Sequence, residues 1–251
     1  MSSSIWTRCA GDSEIRPLHL SPWRAVEAQH QLSTRKLVGN AAEQELLEEL
    51  IDAAKPPDVT AGRSHYLLAT PFRYPPLRHG SRFGTRFERG IWYGAESLRT
   101  VFAEVAYYRM VFLEGTHADL GTVTTQLTAF TAHARSRSGI DLTRPPFDRF
   151  RRAISSPDSY DATQALGTAM RAAGVQLVRY TSARDPARGA NVAAFTSAVF
   201  GRAKPRDLQP WHCTATRQRV ELTKRDYFGR ETWTYARTDF LVEGRLPAPA
   251  L

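Results

Sequence analysis

Cysteine, lysine and long apolar runs are scarce in this chain of 251 residues. The two cysteines, Cys9 and Cys213, lie far apart and outside any Cys-x-x-Cys pair, which argues against a disulfide framework and a zinc site. No stretch approaches the roughly 18 consecutive apolar residues of a membrane-spanning helix, and the first residues lack the apolar run of a signal peptide. We therefore expect reduced thiols, no membrane partner and a cytoplasmic location.

Motifs that mark several common enzyme classes are also missing. The absence of a Walker loop and of Gly-x-Gly-x-x-Gly entering a helix argues against nucleoside-triphosphate hydrolysis and against hydride transfer on a Rossmann fold. The absence of Gly-x-Ser-x-Gly argues against a serine hydrolase, and the histidines show no metal-ligand spacing. We expect no metal site, and we find no internal repeat or low-complexity linker.

The charge is predominantly of one sign, with 34 basic residues against 25 acidic ones, a net charge of +9 and a pI of about 9.9. Arginine supplies nearly all of it, because lysine occurs only at positions 36, 55, 204 and 224. Such an excess indicates an anionic partner: nucleic acid, a phosphorylated small molecule or an acidic protein. A genomic bias toward arginine explains it equally well. The arginines form no basic block, so we do not predict direct nucleic-acid binding.

Predicted helices and strands follow one another in mixed order, which indicates an α+β fold rather than a doubly wound sheet. Residues 1–60 are predicted to form a helical segment packed on the main domain, with one helix from Trp23 to about Gln31 and an acidic amphipathic helix after Asn40. A polar connection is expected over residues 135–146. In the main domain, residues 61–251, we predict strands at His65–Thr70, Ile91–Gly94, Leu120–Thr131, Val175–Thr181, Asn191–Thr196, Arg219–Thr223 and Thr232–Thr238, and helices at Ser97–Met110, Phe147–Ile154 and Asp161–Ala173.

A loop over residues 80–90 combines three glycines with several arginines. Glycine allows a ligand to approach the backbone closely, and the planar guanidinium of Arg82 or Arg86 suits phosphate oxygens. A phosphate-binding loop and a plain surface loop of an arginine-rich protein both fit this pattern.

Four further polar or aromatic residues are candidates for a site. Tyr93 follows the loop and can either stack on a heterocycle or belong to the core. Glu104 lies at the edge of the apolar stripe of its predicted helix, so its carboxylate faces the protein and needs a partner there. Ser182 and Asn191 stand at strand ends, where polar residues serve either a site or a turn.

At these residues the sequence resembles the RES domain family, found in toxins of bacterial toxin–antitoxin pairs. The resemblance covers roughly residues 64–223, and its C-terminal part fits less tightly. The matching segments are Leu67-Leu-Ala-Thr-Pro-Phe-Arg-Tyr-Pro-Pro76, Gly80-Ser-Arg-Phe83, Trp92-Tyr-Gly-Ala-Glu-Ser97, Ala103-Glu104, Thr181-Ser182 and Asn191-Val-Ala193.

The resemblance implies an ADP-ribosyltransferase-like mixed β core with surrounding helices, and cleavage of the nicotinamide–ribose bond of NAD. It places the family's arginine, tyrosine, glutamate and serine on Arg82, Tyr93, Glu104 and Ser182, with Arg86 a competitor for the arginine. NAD would be a substrate, and no prosthetic group is implied. Water, phosphate or a protein side chain can each be the acceptor. Protein ADP-ribosylation and a non-catalytic basic binding module remain alternatives.

The resemblance also implies a partner, because such toxins are usually encoded beside an antitoxin with an Xre-like helix-turn-helix. We expect this antitoxin to close the cleft of Arg82, Tyr93, Glu104 and Ser182 in a hetero-oligomer. An acidic antitoxin segment would suit the positive charge of the toxin.

Overall fold

Ten strands form one mixed sheet at the centre of the computed structural model, which describes residues 4–28, 38–54, 65–74, 76, 78–226 and 229–249. The strands are β1 (Arg16–Leu20), β2 (Trp23–Glu27), β3 (Trp92–Ala95), β4 (Val123–Thr131), β5 (Ala134–Asp141), β6 (Leu177–Thr181), β7 (Ala190–Ala194), β8 (Arg206–Ala215), β9 (Arg219–Asp226) and β10 (Gly229–Ala236). Their order is β1-β5-β6-β7-β3-β2-β4-β8-β9-β10. Strands β5 and β6 pair in parallel, and the other pairs are antiparallel.

Helices surround this sheet, which confirms the predicted α+β class. They are α1 (Ile5–Arg8), α2 (Ala41–Ala54), α3 (Tyr66–Arg73), α4 (Leu98–Glu114), α5 (Arg151–Ile154) and α6 (Asp161–Ala172). In the described ranges, none of them combines the length and apolar character that crossing a bilayer would require.

Helix α4 lies across one face of the sheet and supplies much of the core. It begins where predicted, because the Ser97 side chain accepts a hydrogen bond from the backbone N–H of Thr100 at 3.2 Å and so caps the helix. Its buried residues, among them Phe102 and Met110, pack on Trp211 and other side chains of β4, β8 and β9. This packing fixes the side of α4 that faces the sheet.

Strands β2 and β3 have the fewest paired residues in the sheet, a single pair of Trp23 with Ala95. A side chain replaces the missing backbone bonds: Nη1 of Arg24 donates to the carbonyl oxygen of Tyr93 at 2.6 Å. Burial lowers the pKa of Arg24 to about 10, so the guanidinium is still charged at neutral pH.

Helix α6 packs against the turn that carries Arg82. A Cβ at Gly167 would lie 2.0 Å from the carbonyl oxygen of Phe83, so only glycine permits this approach. Phe83 itself is fully buried and meets the ring of Tyr180 edge-on, with 4.9 Å between centroids. The turn is therefore held from both sides.

Two helix and strand predictions near the N-terminus are wrong. The helix predicted from Trp23 is strand β2, which pairs with β4 at five positions, because Trp23 and Ala25 then reach the core beneath α4. The predicted helical segment thus contains two strands. The end of that helix, residues 29–31, lies outside the described residues, as does the predicted domain boundary at residues 60 and 61. That boundary stays a prediction.

The strand predicted at His65–Thr70 is also wrong, because helix α3 occupies this segment. His65 caps it by accepting a hydrogen bond from the N–H of Leu67 at 3.3 Å, and Leu68 packs on Phe200. The polar connection predicted over residues 135–146 is largely strand β5, whose first four residues alternate between buried and exposed. Strand β8 was not predicted.

Candidate active site

A cleft of about 630 Å³ opens where β2 and β3 diverge beneath α4. Its walls are mostly apolar, and Arg109 of α4 pairs with Glu27 of β2. Polar and aromatic groups that line it include Arg24, Ser81, Arg82, Tyr93, Glu104, Tyr108, Tyr160, Tyr180 and Asn191. The volume lies in the usual range of small-molecule sites.

The Glu104 carboxylate is held by two donors on the same oxygen. Oγ of Ser182 donates to Oε1 at 2.7 Å, and Nδ2 of Asn191 donates to Oε1 at 2.6 Å. Among the described residues nothing donates to Oε2. The arrangement orients the carboxylate and leaves one oxygen for a ligand in the cleft.

Ser182 is positioned by the turn that follows β6. Its Oγ accepts hydrogen bonds from the N–H groups of Arg184 and Asp185 at 3.0 and 3.1 Å, so its one proton is directed to Glu104. The turn is tied to α4, because Asp185 accepts hydrogen bonds from Arg99 at 2.9 Å and from the Thr100 hydroxyl at 2.8 Å. The serine and the glutamate are thus fixed to one another by two elements.

Asn191 reaches the carboxylate because strand register places it there. It pairs with Tyr180 of β6 and with Ala95 of β3, so these three residues share one face of the sheet. A carboxylate accepts and does not donate, so the amide nitrogen must face Glu104. The other atom, Oδ1, is buried, has no hydrogen-bond partner among the described residues and can accept from a ligand.

Tyr180 lies against this group. Burial raises its pKa well above the ordinary value, and the nearby Glu104 carboxylate raises it further. Tyr180 is therefore a neutral phenol at physiological pH.

Arg82 is 7% exposed and lies beside the ring of Tyr160, 4.9 Å from its centroid. Its Nη1 donates to the carbonyl oxygens of Ile154 and Ser156 at 3.1 and 3.0 Å. No carboxylate pairs with it in the part of the chain that the structure describes. The guanidinium thus brings an uncompensated positive charge to the cleft, as an anion site needs.

The hydroxyl of Tyr93 supports the turn that carries Arg82. It accepts a hydrogen bond from the N–H of Phe83 at 3.1 Å and shares one with the Ser81 hydroxyl at 2.9 Å. Burial raises the pKa of Tyr93 to about 12. The ring lines the cleft while the hydroxyl holds the loop.

Arg86 lies apart from this group. Its side chain is exposed, stacks on Phe87 at 4.5 Å and does not line the cleft. Within the described ranges, no cluster of three or more His, Cys, Asp or Glu side chains is arranged to hold a metal ion.

Comparison with known proteins identifies the family. A model of the RES domain matches residues 56–216. The chain belongs to the RES domain family. A chain in the crystal structure of the M. tuberculosis MbcT–MbcA toxin–antitoxin complex is similar, with 15% identity and a TM-score of 0.47, over 86% of this chain and 94% of that chain. No curated protein matches the sequence.

The RES domain contains all six residues singled out in the sequence. Five of them, Arg82, Tyr93, Glu104, Ser182 and Asn191, line the cleft or hydrogen-bond to a residue that does, and Arg86 does not. Strand β2 and its Arg24 lie before the RES match, and β9 and β10 lie after it.

The cleft residues that sequence reasoning missed in this RES protein include Arg24, Tyr108, Tyr160 and Tyr180. Tyr108 was detectable, since it lies four residues after Glu104 on the same helix face. Arg24 was not, because its segment was assigned to a helix.

Proposed function

We propose that this RES protein is the toxin of a toxin–antitoxin pair and that it cleaves the nicotinamide–ribose bond of NAD. The observation that carries the proposal is the Glu104 carboxylate in the same cleft as Arg82. Ser182 and Asn191 fix one of its oxygens, and no described residue donates to the other. Membership of the RES family supports the same reaction. The expected cytoplasmic location stays a prediction.

The chemistry requires such a carboxylate. When the bond between the ribose C1′ and the nicotinamide nitrogen breaks, the bonding electrons move to the ring nitrogen, and nicotinamide leaves as a neutral molecule. Positive charge then develops on the ribose, as in glycoside hydrolysis. A preorganised Glu104 stabilises that charge more in the transition state than in the ground state.

The remaining groups would bind and orient NAD. The Arg82 guanidinium would hold the pyrophosphate, and the Tyr93 ring would pack near the nicotinamide ribose. Oδ1 of Asn191 would accept a hydrogen bond from a ribose hydroxyl or from the carboxamide, since it is buried and no described residue donates to it. Ser182 would act mainly by orienting Glu104.

The test is incubation of purified protein with NAD, with and without inorganic phosphate, followed by mass spectrometry. We expect nicotinamide to be released, either with and without phosphate or only when phosphate is present. ADP-ribose identifies water as acceptor, a phosphorylated ADP-ribose identifies phosphate, and a mass increase on protein identifies ADP-ribosylation. Intact NAD under every condition would contradict the proposal, and DNA binding with a steep salt dependence would support a basic binding module instead.

The mouth of the cleft fits a protein partner. Three aromatic side chains of its lining are largely exposed: Tyr74 at 40%, Tyr108 at 48% and Phe112 at 56%. An aromatic rim beside a charged pocket is typical of protein interfaces. We propose that an Xre-like antitoxin covers this rim in a hetero-oligomer. If the antitoxin binds and ADP-ribose still enters the cleft, the antitoxin does not block the cleft and this proposal is wrong.

A further inference from the structure

Two tyrosines of the cleft lining form a hydrogen-bonded pair to which the proposed reaction gives no role. Tyr108 of α4 and Tyr160, the residue before α6, both line the cleft, and their hydroxyl oxygens lie 3.2 Å apart. Within the described ranges neither hydroxyl makes another hydrogen bond. Because two hydroxyls carry two protons and their mutual bond uses one, this tyrosine pair has one proton left for a ligand.

Each member of the tyrosine pair adjoins one of the two charged groups of the site. Tyr108 lies four residues after Glu104, so the two side chains are neighbours on one face of α4. The ring of Tyr160 is 6% exposed and lies against the guanidinium of Arg82, 4.9 Å from its carbon atom to the ring centroid. The pair therefore connects the carboxylate of the site to its arginine.

Both rings are held by the surrounding structure. The ring of Tyr108 meets the buried ring of Tyr107 edge-on, with 5.0 Å between centroids, and the Tyr107 hydroxyl donates to the carbonyl oxygen of Pro247. The backbone carbonyl of Tyr160 accepts a hydrogen bond from the N–H of Gln164 in the first turn of α6 at 2.7 Å. The two hydroxyls thus meet at a fixed place, as a binding group requires.

The tyrosine pair is a neutral donor. Burial raises the pKa of Tyr108 well above its ordinary value, and the nearby Tyr160 and Glu104 raise it further, so this hydroxyl keeps its proton at physiological pH. A neutral donor beside Glu104 can bind an anion there without neutralising the carboxylate. Hydrogen bonds to an ionised acceptor are also stronger than those between neutral groups.

We propose that the tyrosine pair binds the phosphate attached to the nicotinamide ribose of NAD, an assignment that rests on the proposed function. In NAD this phosphate is joined to C5′ of the ribose, so it lies between the reacting C1′, assigned to Glu104, and the rest of the pyrophosphate, assigned to Arg82. The pair connects the same two residues. Nη1 of Arg82 already donates to the carbonyl oxygens of Ile154 and Ser156, so the phosphate needs a further donor.

The test removes both hydroxyls in Tyr108→Phe/Tyr160→Phe, which keeps both rings and hence the packing on Arg82. In calorimetric titration of the full chain with ADP-ribose, which contains both phosphates of NAD, we expect an affinity about tenfold lower or worse, as for loss of a hydrogen bond to a charged group. Tyr108→Phe alone, at a residue that is 48% exposed, should lower the affinity about threefold or more and serves if the double variant does not fold. Tyr66→Phe, at an exposed tyrosine outside the cleft lining, is the matched control and should bind normally.

Steady-state kinetics with NAD separates binding from chemistry. In the double variant KM should rise by a similar factor while kcat stays within about twofold, because a phosphate contact is the same in the ground and transition states. Inhibition by nicotinamide, which has no phosphate, should be unchanged. Unchanged ADP-ribose affinity, a fall in kcat at constant KM, or an equal weakening of nicotinamide inhibition would overturn the proposal.

The calorimetric result is independent of turnover, so the two proposals can fail separately. If the wild-type chain binds ADP-ribose through the tyrosine pair and leaves NAD intact, the phosphate contact is supported and the proposed reaction is wrong. If the wild-type chain and the double variant consume NAD with equal KM, the reaction is supported and the phosphate contact is wrong.

Discussion

Glu104 illustrates how single atoms set the chemistry of this site. Its Oε1 accepts two hydrogen bonds, from Ser182 and Asn191, and both donors are 3% exposed. A neutral amide oxygen can accept the same two bonds. Glu104→Gln therefore removes the negative charge while preserving the packing around it.

We predict that Glu104→Gln lowers NAD cleavage by about a hundred- to a thousand-fold, as expected for loss of one preorganised electrostatic contact. Thermal unfolding should stay close to wild type. Glu114→Gln, on the same helix but in an exposed pair with Arg237, is the control and should retain activity. Normal turnover in a folded Glu104→Gln protein would remove Glu104 from the mechanism.

At the loop, we predict that Arg82→Lys weakens NAD binding by about tenfold or more, because a point charge cannot keep both carbonyl contacts and still offer a planar fork to the pyrophosphate. Arg86→Lys should bind NAD nearly as well as wild type, since Arg86 is exposed outside the cleft. A binding titration with the opposite ranking would show that the family arginine was assigned to the wrong position.

Helices whose ends carry a capping residue in the sequence could be predicted. Ser97 marks the start of α4, and a helix at Asp161 precedes Gly174, so both were predicted. Strands β5 and β8 were not, because their polar sequences become strands only by pairing with partners distant in the chain. Helix α3 was read as a strand because its packing on Phe200 has no local signature.

The same distinction applies to the site. Tyr93 and Glu104 could be placed from a loop, a strand and a helix that follow one another closely. The contact of Asn191 with Glu104 depends on how β6, β7 and β3 align, which sequence spacing does not specify. The role of Arg24 depends on a gap in strand pairing.

Helix α6 packs on the turn that carries Arg82, and a substitution at Gly167 tests this contact. Gly167→Ala should weaken NAD binding and destabilise the protein by roughly 1–3 kcal/mol, since its Cβ would overlap the Phe83 carbonyl and displace Arg82. Gly115→Ala is the control: its φ is −75° and its Cβ would lie 3.4 Å from the nearest atom. Denaturant unfolding and NAD titration measure both effects. Unchanged NAD binding in Gly167→Ala would show that the turn adapts.

For the molecule as a whole, the two free thiols report on folding. Cys9 and Cys213 are 3% and 0% exposed, and burial raises the pKa of Cys213, so little thiolate is present. We predict that the native protein reacts slowly with a thiol reagent between pH 7 and 8, and that both thiols react once the protein is unfolded in denaturant. Reducing agent should leave the melting temperature unchanged. Rapid reaction of one equivalent without denaturant would show local opening.

With a single residue pair between them, β2 and β3 depend on side-chain contacts to stay joined. If NAD binds in the cleft as proposed, it contacts residues of both strands and joins them beside the Arg24 hydrogen bond. A ligand that binds only the native state stabilises it, and the stabilisation grows with the logarithm of the ligand concentration above the dissociation constant. If NAD is the substrate, each turnover removes the ligand that stabilises the protein, so we expect the native state to lose stability as NAD is consumed.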